Sequence, residues 1–167
     1  TVQITYNGQS AAFPKGTTVL TAIRRLSAPG NTEGLLCAMR GGVCMELDAP
    51  LQEDATLTAL TYRDEEGRRV YERSLRFLLL LSMKRLYPEK RIRILNSVGY
   101  GVYLRVIDGE MDHAMVRALE ADMRKLVREN LPFTRENWTT EKAIAYFSER
   151  NYPDKAELLA YRPHDKI

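Results

Sequence analysis

The pair Asn7-Gly8 sits between two short alternating runs, Val2–Tyr6 and Ser10–Phe13. Both turn positions tolerate positive φ, so the pair closes a two-residue hairpin and pins the register of the two strands it joins. More punctuation follows at close intervals. Pro14-Lys15-Gly16 breaks the return strand, and Thr17 or Thr18 can cap a helix running to Leu26 with Val19, Leu20, Ile23 and Leu26 on one face. Pro29-Gly30 ends that helix. Leu35–Met39 suits a buried strand, Arg40-Gly41-Gly42 turns it back into Val43–Met45, and Thr56–Thr61 alternates as a last strand. The element order is β-β-α-β-β-β.

That order predicts a sheet crossed by one helix, of the length of a β-grasp module. A different text begins after it. Asp64-Glu65-Glu66-Gly67 reads as a polar hinge, and Tyr71–Leu86 then carries Leu75, Leu78, Leu79, Ser82, Met83 and Leu86 at helical spacing. Arg91–Leu95 and Val102–Val106 alternate as strands around Gly99-Tyr100-Gly101. Met111–Asn130 is a second long helix with Met115, Leu119, Met123, Leu126 and Val127 along its stripe, and Thr139–Arg150 and Pro153–Tyr161 are shorter ones. Charge changes at the same place. Residues 1–62 hold four basic and five acidic groups, whereas residues 63–167 carry a net +4. The expected organisation is therefore a domain at 1–62, a linker at 63–70 and an α+β domain at 71–167.

Composition excludes several classes. With 44% hydrophobic and 28% charged residues the chain is globular rather than disordered. No apolar run exceeds five residues, as in Phe77–Leu81, which is too short to cross a bilayer. Two cysteines, Cys37 and Cys44, cannot staple 167 residues; they are expected as thiols in a reducing cytoplasm, pointing into the first core from neighbouring strands. Six residues separate them, more than in a zinc knuckle. His113 and His164 share no ligand spacing. The sequence has no phosphate loop, no G-x-G-x-x-G and no G-x-S-x-G elbow. A catalytic set and a metal site are both expected to be absent.

Gly42-Val43-Cys44-Met45-Glu46-Leu47-Asp48-Ala49-Pro50-Leu51, followed by Asp54-Ala55-Thr56-Leu57, resembles the TGS domain, with its "G-x-x-x-x-L-x-x-x-L" turn and closing "A-x-L" strand. Lys84-Arg85-Leu86-Tyr87-Pro88, Gly99-Tyr100-Gly101-Val102-Tyr103, Phe147-Ser148-Glu149-Arg150 and Asp154–Leu159 resemble the second additional domain of threonyl-tRNA synthetases. Together these resemblances imply a TGS-like β-grasp domain followed by a synthetase-editing-like α+β domain. In the synthetases the second domain removes mischarged serine with an H-x-x-x-H pair and a C-x-x-x-H pair. Here the first pair aligns with Arg73 and Phe77, neither of which can serve as a base or ligand near neutral pH. Leu104 stands where a tyrosine is expected, and Lys155 matches a lysine of the synthetase site.

The pattern through Leu131-Pro132-Phe133-Thr134-Arg135-Glu136 and Trp138 resembles the N-terminal part of bacterial uridine-kinase-like proteins, in which the two domains precede a nucleoside kinase. That resemblance implies a non-catalytic accessory region, cut before a cytoplasmic kinase that would use ATP and Mg²⁺. The region itself needs no cofactor. Its expected partners are a nucleotide, a tRNA-like RNA or its own downstream kinase domain, and no membrane. The alternative is a tRNA-binding or editing fragment of a threonyl-tRNA-synthetase-like enzyme. If the resemblance holds, Arg73 and Arg76 on the long helix, with Lys155, line an anion or nucleotide site. Lys84, Arg85, Lys90 and Arg91 would contact RNA phosphates.

Overall fold

The computed structural model describes residues 1–99, 101–107 and 109–161. It falls into two compact units, Thr1–Arg128 and Glu129–Ile167. In the first, β1 (Val2–Tyr6) and β2 (Gln9–Phe13) form the expected hairpin, with Asn7 and Gly8 both at positive φ. α1 (Val19–Leu26) follows, then β3 (Leu35–Arg40), β4 (Val43–Met45) and β5 (Ala55–Thr61). The five strands make one mixed sheet in the order β2-β1-β5-β3-β4, with β1 and β5 parallel and the other pairs antiparallel. The expected α+β class and element order are what the structure shows. α1 covers the sheet through Val19, Ala22, Ile23 and Leu26, against Val2, Ile4, Tyr6, Phe13, Ala38 and Leu57. Leu20, expected on that face, is only half-buried, and Ala22 takes its place in the core.

The segment between β4 and β5 explains the leucine spacing of the turn after Gly42. Leu51 is fully buried and Leu47 packs beside it against the same core. Between these two anchors the backbone runs along the start of α1. Leu20 donates its N–H to the Leu47 carbonyl at 2.8 Å, Val19 to that of Ala49 at 3.1 Å and Gly16 to that of Leu51 at 2.8 Å, while Leu51 N–H donates to Thr17. Two N–H groups that a helix N-terminus leaves without intrahelical partners are thus satisfied by the strap. The Thr18 hydroxyl accepts from Thr21 N–H and closes the cap.

β5 leads directly into α2 (Glu65–Leu86), whose first turns occupy the residues expected to form the linker 63–70. The physical reason lies in Asp64 and Gly67. The Asp64 carboxylate turns back and accepts from Thr61 N–H at 2.7 Å and from the Thr61 hydroxyl at 3.1 Å. Gly67 is buried so tightly that a Cβ there would stand 2.0 Å from the Thr61 carbonyl oxygen. The polar run is a joint and a helix start, not a hinge. α2 touches β3 and β5 of the sheet.

A separate two-stranded sheet, β6 (Ile92–Val98) and β7 (Gly101–Val106), precedes α3 (His113–Glu129). This region has a small core of its own: Met83, Val106, Met115 and Leu119, with Leu79, Tyr87, Ile92 and Met111 around it. The stripes read from sequence are therefore only partly buried. Leu75, Leu86 and Val127 remain substantially exposed, because two strands and two helices present too little apolar surface to cover them.

The second unit pairs α4 (Thr140–Glu149), capped by the Thr139 hydroxyl, with α5 (Pro153–Ala160), which has its proline at the first turn. Aromatic edges connect Trp138, Tyr146, Phe147 and Tyr152 in sequence, and Ala143 is the only buried residue of its helices.

Candidate functional site

α2 carries the positions of interest. Arg73, Phe77 and Lys84 recur at helical spacing on its outer side, while Tyr71, Leu75, Leu78 and Leu79 look the other way. At about 100° per residue, the two sets lie roughly opposite. The second set forms one wall of an apolar groove of about 660 Å³; Val116, Leu119, Met123 and Val127 of α3 form the other, with Leu104 and Met111 at its floor. Glu120, Arg124 and Arg128 line the α3 side of its mouth. Neither Arg73 nor Phe77 lines this groove.

Arg73 is exposed and has no ion-pair partner among the described residues. Arg76, half-buried, reaches Glu72 at 3.3 Å. Arg69 is held between Glu65 and Glu66, and Arg85 stands 3.6 Å from Asp122 of α3. Much of the basic clump is thus answered by carboxylates one helical turn away or on the facing helix, which weakens its field as a phosphate surface. Lys90 approaches the loop at Gly109. Lys84 and Arg91 are exposed. Lys155 belongs to the second unit, on α5, with its Nζ 5.2 Å from the Phe147 ring centre and 4.9 Å from that of Tyr152. Its ammonium group lies over two aromatic rings of its own unit.

The two cysteines share one face of the sheet. Cys37 is buried beneath the start of α2, and burial, with the neighbouring Cys44 thiol and the charges of Glu66 and Asp64, pushes its pKa from 9.0 up to about 12. Cys44, opposite Met39 in the β3–β4 hairpin, is exposed, and Cys37 lies on the sheet face opposite Ala38, so neither points into the first core as expected. His113 is the exposed first residue of α3; His164 lies outside the described residues. Among the described residues no group of three His, Cys, Asp or Glu side chains could hold a metal ion, and no helix is long and apolar enough to cross a membrane.

The architecture defined by these elements is a sheet-and-helix α+β module strapped across α1, continued by a helix–hairpin–helix region. No protein-family model matches the sequence. The curated relatives are informative. Over 162 residues, 96% of this chain, it is 31% identical to the threonine–tRNA ligase of Desulforamulus reducens. It is 30% identical over 163 residues to that of Clostridium kluyveri and 29% over 173 residues to that of Halalkalibacterium halodurans. The chain spans about a quarter of the length of these relatives. It is homologous along nearly its whole length to the N-terminal quarter of threonine–tRNA ligases, the region of the TGS and second additional domains. The relatives lend no support to a uridine kinase as parent; they favour the synthetase alternative.

Proposed function

We propose that this chain is a synthetase-like accessory module that presents a tRNA acceptor end without processing it. The observation that carries the reading is the pairing of near-full-length similarity to threonine–tRNA ligases with Arg73 and Phe77 at the positions where the resemblance calls for histidines. An arginine stays protonated and a phenylalanine has no lone pair, so neither can deliver a proton or hold a water for ester hydrolysis. What Arg73 can do is meet phosphate with its planar fork, and it is exposed without an ion-pair partner among the described residues. Lys84, on the same side of α2, extends that contact, and Arg91 follows the helix.

Titration of a tRNA acceptor hairpin tests this. The expected result is weak binding that falls steeply as salt is raised through the physiological range, with a few-fold loss in Arg73→Ala. Seryl-tRNA should be deacylated no faster than in buffer, and protein purified without chelator should carry no stoichiometric zinc. Absence of binding at low salt, or equal affinity in Arg73→Ala, overturns the RNA contact. Deacylation above background overturns the non-catalytic reading. UTP and ATP, titrated in parallel, serve as the comparison for a free nucleotide, and saturable binding of either would return the site to a small anion.

A further inference from the structure

We infer that Cys37 and Cys44 form a dithiol site for a trivalent arsenical, in which one organic arsenic(III) centre bridges the two sulfurs. Alternation along β3 puts Cys37 and Met39 on one face of the sheet, and Met39 pairs with Cys44 of β4. Cys44 is therefore diagonal to Cys37 on that face, away from the core under α1 that Ala38 joins. The two thiols are hydrogen-bond neighbours. They differ in access: Cys44 is open to solvent, whereas Cys37 is 1% exposed.

Spacing and charge select the ligand. Diagonal partners on two strands have Cα atoms about 7–8 Å apart, and a disulfide closes only below about 7 Å without backbone movement. An inserted atom with two bonds to sulfur spans what one sulfur–sulfur bond does not. Asp64 and Glu66, at the start of α2, put negative charge beside Cys37. Two thiols give up two protons on binding, so a centre with a formal charge of two buries no net charge, whereas monovalent copper would add a negative one. Zinc has the right charge but takes four ligands, and among the described residues no three His, Cys, Asp or Glu side chains gather. An arsenic(III) centre with one organic group needs only two. The exchange balances without redox chemistry. The Cys44 thiolate attacks arsenic in the hydrated form R–As(OH)2, and one hydroxide leaves as water with the proton that the thiol gave up. Cys37 then makes the second arsenic–sulfur bond within the same molecule, and its proton departs with the second hydroxide as water. Arsenic stays trivalent, and Cys37 is never a free thiolate beside the two carboxylates.

Phenylarsine oxide titrated into the reduced 167-residue chain tests this, with native mass spectrometry as the readout. One phenylarsenic group per chain is expected, with two protons lost, resistant to 2-mercaptoethanol but released by dithiothreitol. Cys37→Ser and Cys44→Ser should each weaken binding by about a hundredfold or more, the usual advantage of a second link within one molecule. Cys44 is exposed, so Cys44→Ser keeps the test readable even if Cys37→Ser fails to fold. Bridging β3 to the three-residue strand β4 should also raise the melting temperature of the wild type and leave that of Cys44→Ser unchanged. A wild-type chain that forms no adduct overturns the inference. So does an adduct that 2-mercaptoethanol removes as readily as from Cys37→Ser, or equal affinity in the urea-unfolded chain, where the sheet no longer sets the two thiols together.

Discussion

A methyl group at position 67 would stand 2.0 Å from the Thr61 carbonyl oxygen, a backbone atom that cannot swing aside. Gly67→Ala should therefore destabilise the chain by about 1–3 kcal/mol, the usual cost of forcing an extra carbon into a packed site, measured as a lower urea midpoint. Asp64→Ala should cost about 1.5–3 kcal/mol, since its carboxylate answers two donors of Thr61. The cysteines give a third test. At mildly alkaline pH, a disulfide reagent should titrate one thiol of the two in the native protein, Cys44, and the second only after unfolding. The same burial sets a pH dependence. The folded Cys37 keeps its proton up to about 12, whereas the unfolded thiol loses it near 9.0, so between those values the unfolded state binds fewer protons. Stability must fall as pH rises through that window, and Cys37→Ala should fall less. A wild type and variant with parallel alkaline profiles would contradict the assigned shift.

At the scale of elements, the strap from Leu47 to Leu51 does for α1 what a capping side chain alone could not. Its carbonyls receive the helix's first N–H groups, and its two leucines tie it to the core beneath. Thr18→Ala should cost about 1 kcal/mol, the ordinary worth of an N-cap hydroxyl. Leu51→Ala should cost more, about 2–5 kcal/mol, because it empties a buried site and frees the strap together. A circular dichroism melt of each variant distinguishes the two losses. α2 behaves differently. Its joint to β5 is tied by Asp64 to Thr61 and its last turns join the small second core, but its middle presents leucines to an open groove. Here periodicity found the helix but began it at Tyr71 rather than Glu65, and it over-read the burial.

For the whole molecule, the path of the chain predicts where a protease enters. The residues that read as a hinge, Asp64–Arg69, lie in a helix start whose backbone is tied to Thr61, while residues 131–138 form neither helix nor strand. Limited trypsin digestion should cut after Arg135 before it cuts after Arg68 or Arg69, since cleavage needs several residues of extended, accessible backbone. Early cleavage at Arg68 or Arg69 would restore the separable two-domain organisation at 1–62 and 71–167, which we otherwise retain only as a proposal for how the homologous regions are partitioned.

The hairpin at Asn7-Gly8, the cap at Thr18, the element order and the long helices were all determined by the sequence alone. Each rests on short-range chemistry: positive φ at two adjacent residues, a hydroxyl before an apolar stripe, or a repeat matched to the helical turn. That Arg73 and Phe77 cannot act as bases near neutral pH was equally legible, because a residue type either can or cannot take up a proton there. Only the tertiary structure decided that Asp64 binds backward to Thr61, that Cys37 is covered while Cys44 on the same face stays exposed, and that the Lys155 ammonium lies over Phe147 and Tyr152. It also decided which leucines of α2 are buried. Periodicity fixes which side chains share a face, but burial depends on how much apolar surface other elements bring to that face, and that sum is not local.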